Sequence, residues 1–223
     1  MIIVIEGIDG AGKSTLSRSL AEYAAQEGLE VKSSAFPRYS AHPTGPLFSK
    51  GLRGEVGDLL DSIYGMAVLF GLDRYAVRQE LLDASADPNT ILLLDRYVAS
   101  NAAYSMGRVA VREEHTGLVP TSEMLSVRDF IGDFEFGQCA LPEPSLSILL
   151  DTPVEISRAR AKGREEALGA EPDRYEANSN LQEQTAASYR HLAQNNWHGQ
   201  WVRVTHADEP RAISRRIMEE LKA

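Results

Sequence analysis

The segment Gly7-Ile8-Asp9-Gly10-Ala11-Gly12-Lys13-Ser14 fits the pattern G-x-x-x-x-G-K-[ST] in full. An apolar run, Ile2-Ile3-Val4-Ile5, precedes it. A helical pattern from Ser14 to Glu27 opens on its last residue, with Leu16, Leu20, Tyr23 and Ala24 on one side and Gly28 as the stop. At average composition the pattern arises by chance in roughly one such chain in a hundred. Strand, glycine-rich turn and helix together form the context in which it acts. The glycines let backbone N–H groups turn inward around phosphate oxygens, and the helix adds its positive end. Lys13 then reaches the β- and γ-phosphates and the Ser14 hydroxyl ligates Mg²⁺. Gly7, Gly10, Gly12, Lys13, Ser14 and Thr15 are the candidate ATP-binding residues.

The rest of the chain repeats the alternation. Strands are predicted at Val31 to Phe36, Ile91 to Leu94, Leu146 to Leu150 and Trp201 to Val204. Between them, 59–82 carries apolar residues at helical spacing (Ile63, Ala67, Phe70). Met124, Phe130, Ile131 and Phe134 suit another amphipathic helix. A last helix is predicted from Asp208 as cap and Pro210 in the first turn, with Ile213, Ile217 and Leu221 as its stripe. This order implies an α/β, P-loop NTPase fold: a parallel five-stranded sheet with helices on both faces, one domain over 1–223. Ser40 to Gly57 and Gly163 to Asp173 resist assignment and read as loops over a site.

Composition excludes some classes. With 43% hydrophobic and 25% charged residues the chain is an ordinary globular one, and a net charge of −9 disfavours a nucleic-acid binder. The single cysteine, Cys139, can build neither an internal disulfide nor a cysteine zinc site, and reads as a small buried hydrophobe. No leader-like segment precedes Ile2 and no apolar run is long enough to span a bilayer, so a cytoplasmic location and no membrane partner are expected.

A phosphate loop does not name a reaction. No N-K-x-D guanine-reading motif occurs, which disfavours a GTPase. A kinase needs a second phosphate site. Phe36-Pro37-Arg38-Tyr39 ends the second strand, and Asp95-Arg96-Tyr97 ends the third, followed by Val98-Ala99-Ser100-Asn101. Ligands of open α/β sheets bind beyond the carboxyl ends of the strands, so Arg38, Arg96 and the glycine-rich turn converge on one crevice. Arg96 has a purely structural alternative, an ion pair with Asp95 or Asp151.

Taken together, I-E-G-I-D-G-A-G-K-S-T, F-P-R-Y, A-x-L-F-x-L-D-R, D-R-Y-V-A-S-N-A-A-Y-S and D-R-Y-E (Asp173 to Glu176) resemble the thymidylate kinases along essentially the whole chain, the actinobacterial form most of all. The resemblance implies transfer of the γ-phosphate of ATP to dTMP. It implies that Phe70 stacks on thymine, which periodicity alone would place in the core, and that Arg74, four residues on, bonds an exocyclic oxygen. Asn101 contacts the base, and Tyr104 crowds a 2′-hydroxyl. Asp9 lies near the 3′-hydroxyl, Phe36, Arg38, Tyr39 and Arg96 hold the acceptor nucleotide, and Tyr175 closes over the sugar. Asp9, Ser14, Asp95 and Glu176 are the candidate Mg²⁺ ligands.

Arg158, Arg160, Lys162 and Arg164 crowd one stretch and by themselves read as a solvated helix face. The resemblance makes residues 158–174 a mobile lid over ATP, with Gly163 as a hinge. Gly10 and Ala11 stand where some members carry an arginine in the phosphate loop. The transition-state cation then comes from the lid, Arg160 ahead of Arg164, beside Lys13 and Arg96. The resemblance also implies a homodimer. Three rivals stay open: a kinase of the same fold for another nucleotide or a deoxynucleoside, a nucleotide-binding regulator without kinase activity, and an RNA-contacting P-loop protein.

Overall fold

The computed structural model describes residues 1–117, 119–168, 175 and 178–221, with backbone alone for 164–168. Five strands form one fully parallel sheet: β1 (Ile2–Glu6), β2 (Glu30–Ala35), β3 (Thr90–Asp95), β4 (Leu146–Asp151) and β5 (Trp201–Thr205), in the order β2-β3-β1-β4-β5. β1, β3 and β4 lie inside the sheet and are buried on both faces, which is why they read as unbroken apolar runs. The edge strand β2 is largely exposed and correspondingly polar.

Crossovers between parallel strands are right-handed. The chain moves one way along the sheet from β1 to β2, carrying α1 (Lys13–Gln26). It moves the other way from β2 through β3 and β4 to β5, carrying α2 (Thr44–Leu52), α3 (Ile63–Tyr75), α4 (Arg78–Ala86), α5 (Val98–Arg112), α6 (Ser122–Gly132), α7 (Val154–Leu168) and α8 (Ser179–Gln194). Helices therefore cover both faces. α1 packs with the final helix α9 (Pro210–Glu220), and α5 packs with α6 and α8. Register aligns the strand ends: Ile5 and Ala35 both pair with Asp95, and Glu6 with Leu149. The loops after β1, β2 and β3 thus emerge side by side.

Several local expectations change. The helical pattern of 59–82 is two helices, broken at Ala76 and Val77, and the Ser62 side chain caps the first by accepting from Gly65 N. The stretch from Ser40 to Gly57 contains α2, whose Phe48 is fully buried. The helix around Met124 runs on into a π-helical turn, Asp133–Gln138. Glu209, not Asp208, caps α9; Asp208 instead accepts from the backbone and hydroxyl of Thr205. Cys139 is buried as expected.

The glycine-rich turn is pressed from above by α7. Gly10 has φ +76°, and a Cβ there would lie 1.9 Å from the Ser157 carbonyl oxygen. No side chain fits at this position while α7 holds its place, so the absence of an arginine inside the turn has a steric basis. Gly10→Ala is expected to lower the unfolding free energy by about 2 kcal/mol, measured by urea denaturation.

Candidate active site

Arg96 follows β3 directly. Its N–H bonds Ile5 O at 3.0 Å across the sheet, and its backbone adopts φ 67°, a conformation uncommon outside glycine. That bend turns the side chain back toward the end of β1. Nη2 donates to Asp9 Oδ1 at 2.7 Å, and Nη1 reaches Tyr189 OH at 3.2 Å and Ser100 Oγ at 3.3 Å. Neither ion pair foreseen for Arg96 forms: Asp151 is paired with Arg190 and Arg203, and Arg96 pairs with Asp9 rather than Asp95. Tyr104 OH donates to the other Asp9 oxygen at 2.7 Å. Burial opposes ionisation of Asp9, but Arg96 and then Lys13 outweigh it and hold the carboxyl well below the usual carboxylate range.

Behind this pair lies Glu6, the last residue of β1, directly before the glycine-rich turn. It is fully buried and accepts from Ser100 Oγ at 2.6 Å, Tyr189 OH at 2.9 Å and Tyr97 N at 2.9 Å. Burial pushes its pKa up, against these hydrogen bonds and the nearby Arg96. Glu6 and Tyr189 went unpredicted. A lone glutamate at the end of an apolar run was the available signal, since burying it requires partners.

On one side of Arg96 a cleft with about 570 Å³ of empty space is lined by Phe36, Tyr39, Phe70, Arg74, Asn101, Tyr104 and Tyr175, among others. Phe70 does not lie in the core; it faces this cleft, with its ring stacked on buried Phe48 at 5.1 Å and 15°. Tyr175 stacks on Tyr104 at 6.0 Å. Arg74 is buried and paired with Glu135, with its guanidinium over the Phe36 ring at 5.9 Å. Arg38 stands apart. It lines neither this cleft nor the phosphate side, and Asp73 holds its N–H at 2.9 Å and its guanidinium at 3.0 Å. Fully buried Asp73 also accepts from Thr44, so it staples α3 to the loop after β2.

The cleft continues past Asp9 and Arg96 into the phosphate side, lined by Gly10, Gly12, Lys13, Ser14, Thr15, Asp95 and Arg160. Lys13 Nζ bonds Ile8 O at 3.1 Å; burial, then repulsion from Arg96, bring its ammonium down to about 8. Asp95 Oδ1 is buried with no hydrogen-bond partner. Arg160 reaches from α7 to Ala11 O at 3.3 Å, so one of the four clustered cations touches the turn itself. α7 runs unbroken through Gly163. The side chain of Arg164, Glu176 and the rest of the expected lid beyond Leu168 lie outside the described residues. A third concavity, unforeseen in the sequence, opens beyond Gly12 and Arg160 between Leu150, Thr205, His206, Asp208 and Pro210. Extending the strand-end rule to β5 would have found it.

A phosphate loop with one base-sized cleft joined to it through an arginine and a second hollow on its far side defines a nucleotide-binding P-loop phosphotransferase. Comparison with known proteins narrows this class. A family model described as thymidylate kinase matches residues 5–121. A thymidylate kinase of Mycobacterium tuberculosis is 38% identical over 205 residues, covering 92% of this chain and 91% of that protein. A probable thymidylate kinase of Thermococcus onnurineus is 33% identical, covering 87% and 84%. The solved thymidylate kinase of Candida albicans superposes with a TM-score of 0.71 at 22% identity, covering 99% of this chain and 90% of that one, which supports the fold. The chain belongs to the thymidylate kinase family. Among the described residues no helix is long and apolar enough to cross a membrane.

Lys13 must be charged to hold a triphosphate. Affinity of the free protein for a nucleoside triphosphate is therefore expected to fall as pH rises through about 8. Lys13→Arg, which stays charged, removes that step. Calorimetric titrations from about pH 6.5 to about pH 9.5 check both.

Proposed function

We propose that this protein transfers the γ-phosphoryl group of ATP to dTMP, giving dTDP and ADP. The observation that carries this reading is the continuity of the two sites. A cleft holding Phe70, Arg74, Asn101 and Tyr104 runs past Arg96 directly into the phosphate loop. Thymine stacks on Phe70, the sugar lies alongside the Asp9–Tyr104 pair, and the acceptor phosphate meets Arg96 and Tyr39. Tyr104, fixed on Asp9, crowds a 2′-hydroxyl and favours deoxyribose. The adenine of ATP occupies the hollow beside Arg160 and Thr205.

The acceptor phosphate is already a nucleophile at neutral pH, so the protein has little acid–base work to do. Its side chains position the two nucleotides and neutralise charge on the moving group. Lys13 takes the β- and γ-oxygens, and Arg96 turns the acceptor oxygen toward them. Arg160, already at the turn, supplies the cation that this sequence lacks inside it. The lid, from about residue 158 to 174, closes over ATP and excludes water. Ser14 with Asp95 fits a divalent ion arriving with the triphosphate, because Asp95 keeps a buried oxygen without a partner in the same cleft. Asp9 is committed to Arg96 and Tyr104. Ser14 and Asp95 would hold Mg²⁺ there, and the ion would supply positive charge to offset that of the phosphates. The working unit is a homodimer, a reading supported by the exposed stripe of Tyr64, Leu72 and Tyr75 on α3.

An ADP-release assay with ATP and a panel of acceptors (dTMP, dUMP, dCMP, UMP, AMP and thymidine) tests the reading. Preferred turnover of dTMP is expected; preference for another acceptor would discard the base-reading roles, and ATP binding without any turnover would favour a regulator. Arg160→Ala is expected to lower kcat about a hundredfold while dTMP affinity stays within about twofold. Equal losses in both would remove Arg160 from the catalytic role.

A further inference from the structure

Arg74 and Asn101 both line the acceptor cleft, yet part of their hydrogen-bonding capacity is used behind it. Arg74 donates from Nε to Glu135 Oε2 at 2.5 Å and from Nη2 to Oε1 at 2.6 Å, which leaves both N–H groups of Nη1 and the second of Nη2. Asn101 Nδ2 donates to Ala67 O at 2.8 Å and to Glu135 Oε1 at 2.8 Å, which uses both amide hydrogens. Only Oδ1 remains, and it can only accept. The orientation of this amide is dictated by its surroundings. A backbone carbonyl and a carboxylate paired with arginine both accept, so the atom between them has to be the nitrogen.

The cleft is thus offered a donor from Arg74 beside an acceptor from Asn101. An imide edge, with a carbonyl oxygen next to a ring N–H, complements that pair. Thymine and uracil carry such an edge. Cytosine presents an amino group and a bare ring nitrogen, the reverse at both positions, so donors would face donors and acceptors would face acceptors.

Glu135 is the residue common to both arrangements. It is fully buried and lines neither part of the cleft. Its place depends on the π-helical turn after α6, where Cys139 N bonds Phe134 O at 2.8 Å, and on Gly71 of α3. A Cβ at Gly71 would lie 2.6 Å from the Phe134 ring and 3.2 Å from Glu135 Cγ, so the bare backbone lets the turn come close enough to meet Arg74. We propose that Glu135 is a positioning residue that sets the donor–acceptor polarity of the base site, and with it the preference for an imide base over an aminopyrimidine. This rests on the acceptor reading given above.

The test compares kcat/KM for dTMP and dCMP in the wild type, Glu135→Gln and Glu135→Asp, with thermal melting to report folding. Glutamine offers one acceptor and one donor where the carboxylate offers two acceptors, so it cannot satisfy Arg74 and hold the Asn101 amide in one orientation together. The dTMP-to-dCMP ratio is expected to fall about tenfold or more. Aspartate keeps the buried charge that Arg74 requires but is one methylene shorter. It serves where Glu135→Gln does not fold, and its ratio is expected to fall in the same direction. A folded variant that loses the same factor for both acceptors, or keeps the wild-type ratio, overturns the role of Glu135. A wild type that does not prefer dTMP over dCMP overturns the acceptor reading itself.

Discussion

The ion pair between Arg96 and Asp9 joins two loops that the sheet alone would leave merely adjacent. Register brings the ends of β1 and β3 level. The φ of 67° at Arg96 then turns its side chain across the gap to Asp9 at 2.7 Å. Tyr104 closes the arrangement from α5, and Glu6, Ser100 and Tyr189 support it from below. A guanidinium so enclosed is tolerable only because several partners surround it; removing one would leave the others as buried, unpaired polar groups. The left-handed backbone at Arg96 is sustained by that same enclosure. The base cleft on one side and the phosphate loop on the other both take their shape from this pair.

Anionic partners recur one layer further out. Asp73 holds Arg38 and Thr44, and Glu135 holds Arg74 and Asn101. Each buried carboxylate turns a long side chain into a fixed one, which reduces the ordering cost of binding. The acidic balance of the chain, net −9, coexists with a site rich in arginine because these partners are local. Arg160 is the exception among the arginines around the cleft. Its one hydrogen bond among the described residues goes to the backbone of the glycine-rich turn rather than to a carboxylate.

Much of the architecture was legible in the chain. The glycine-rich turn declares itself by spacing, and β1, β3 and β4 by unbroken apolar runs, since a central parallel strand is buried on both faces. α2 was not legible. Thr44–Leu52 is short and contains two glycines and a proline, and it is helical because Phe48 packs against Phe70. The break of 59–82 at Ala76 and Val77 has no helix-breaking residue to mark it. Periodicity assigned Phe70 to the core, whereas the structure turns it to the cleft; a helix face pattern does not distinguish a neighbour from a cavity. Arg38, singled out by its place after β2, is drawn to Asp73, a residue from α3 that no local pattern ties to it.

The sequence by itself determined the strand order's raw material, the phosphate loop and the family, because these depend on local spacing and on which runs must be buried. Tertiary structure alone decided which polar groups face the cleft and which are used up behind it. Asp9, Arg74 and Asn101 stand 65 and 27 residues apart along the chain, and Glu135 reaches the last two only through a π-helical turn and the bare backbone of Gly71. Hydrogen-bond capacity is shared among residues that are distant in sequence and close in space, so the free donor and acceptor that remain can be counted only once the chain has folded.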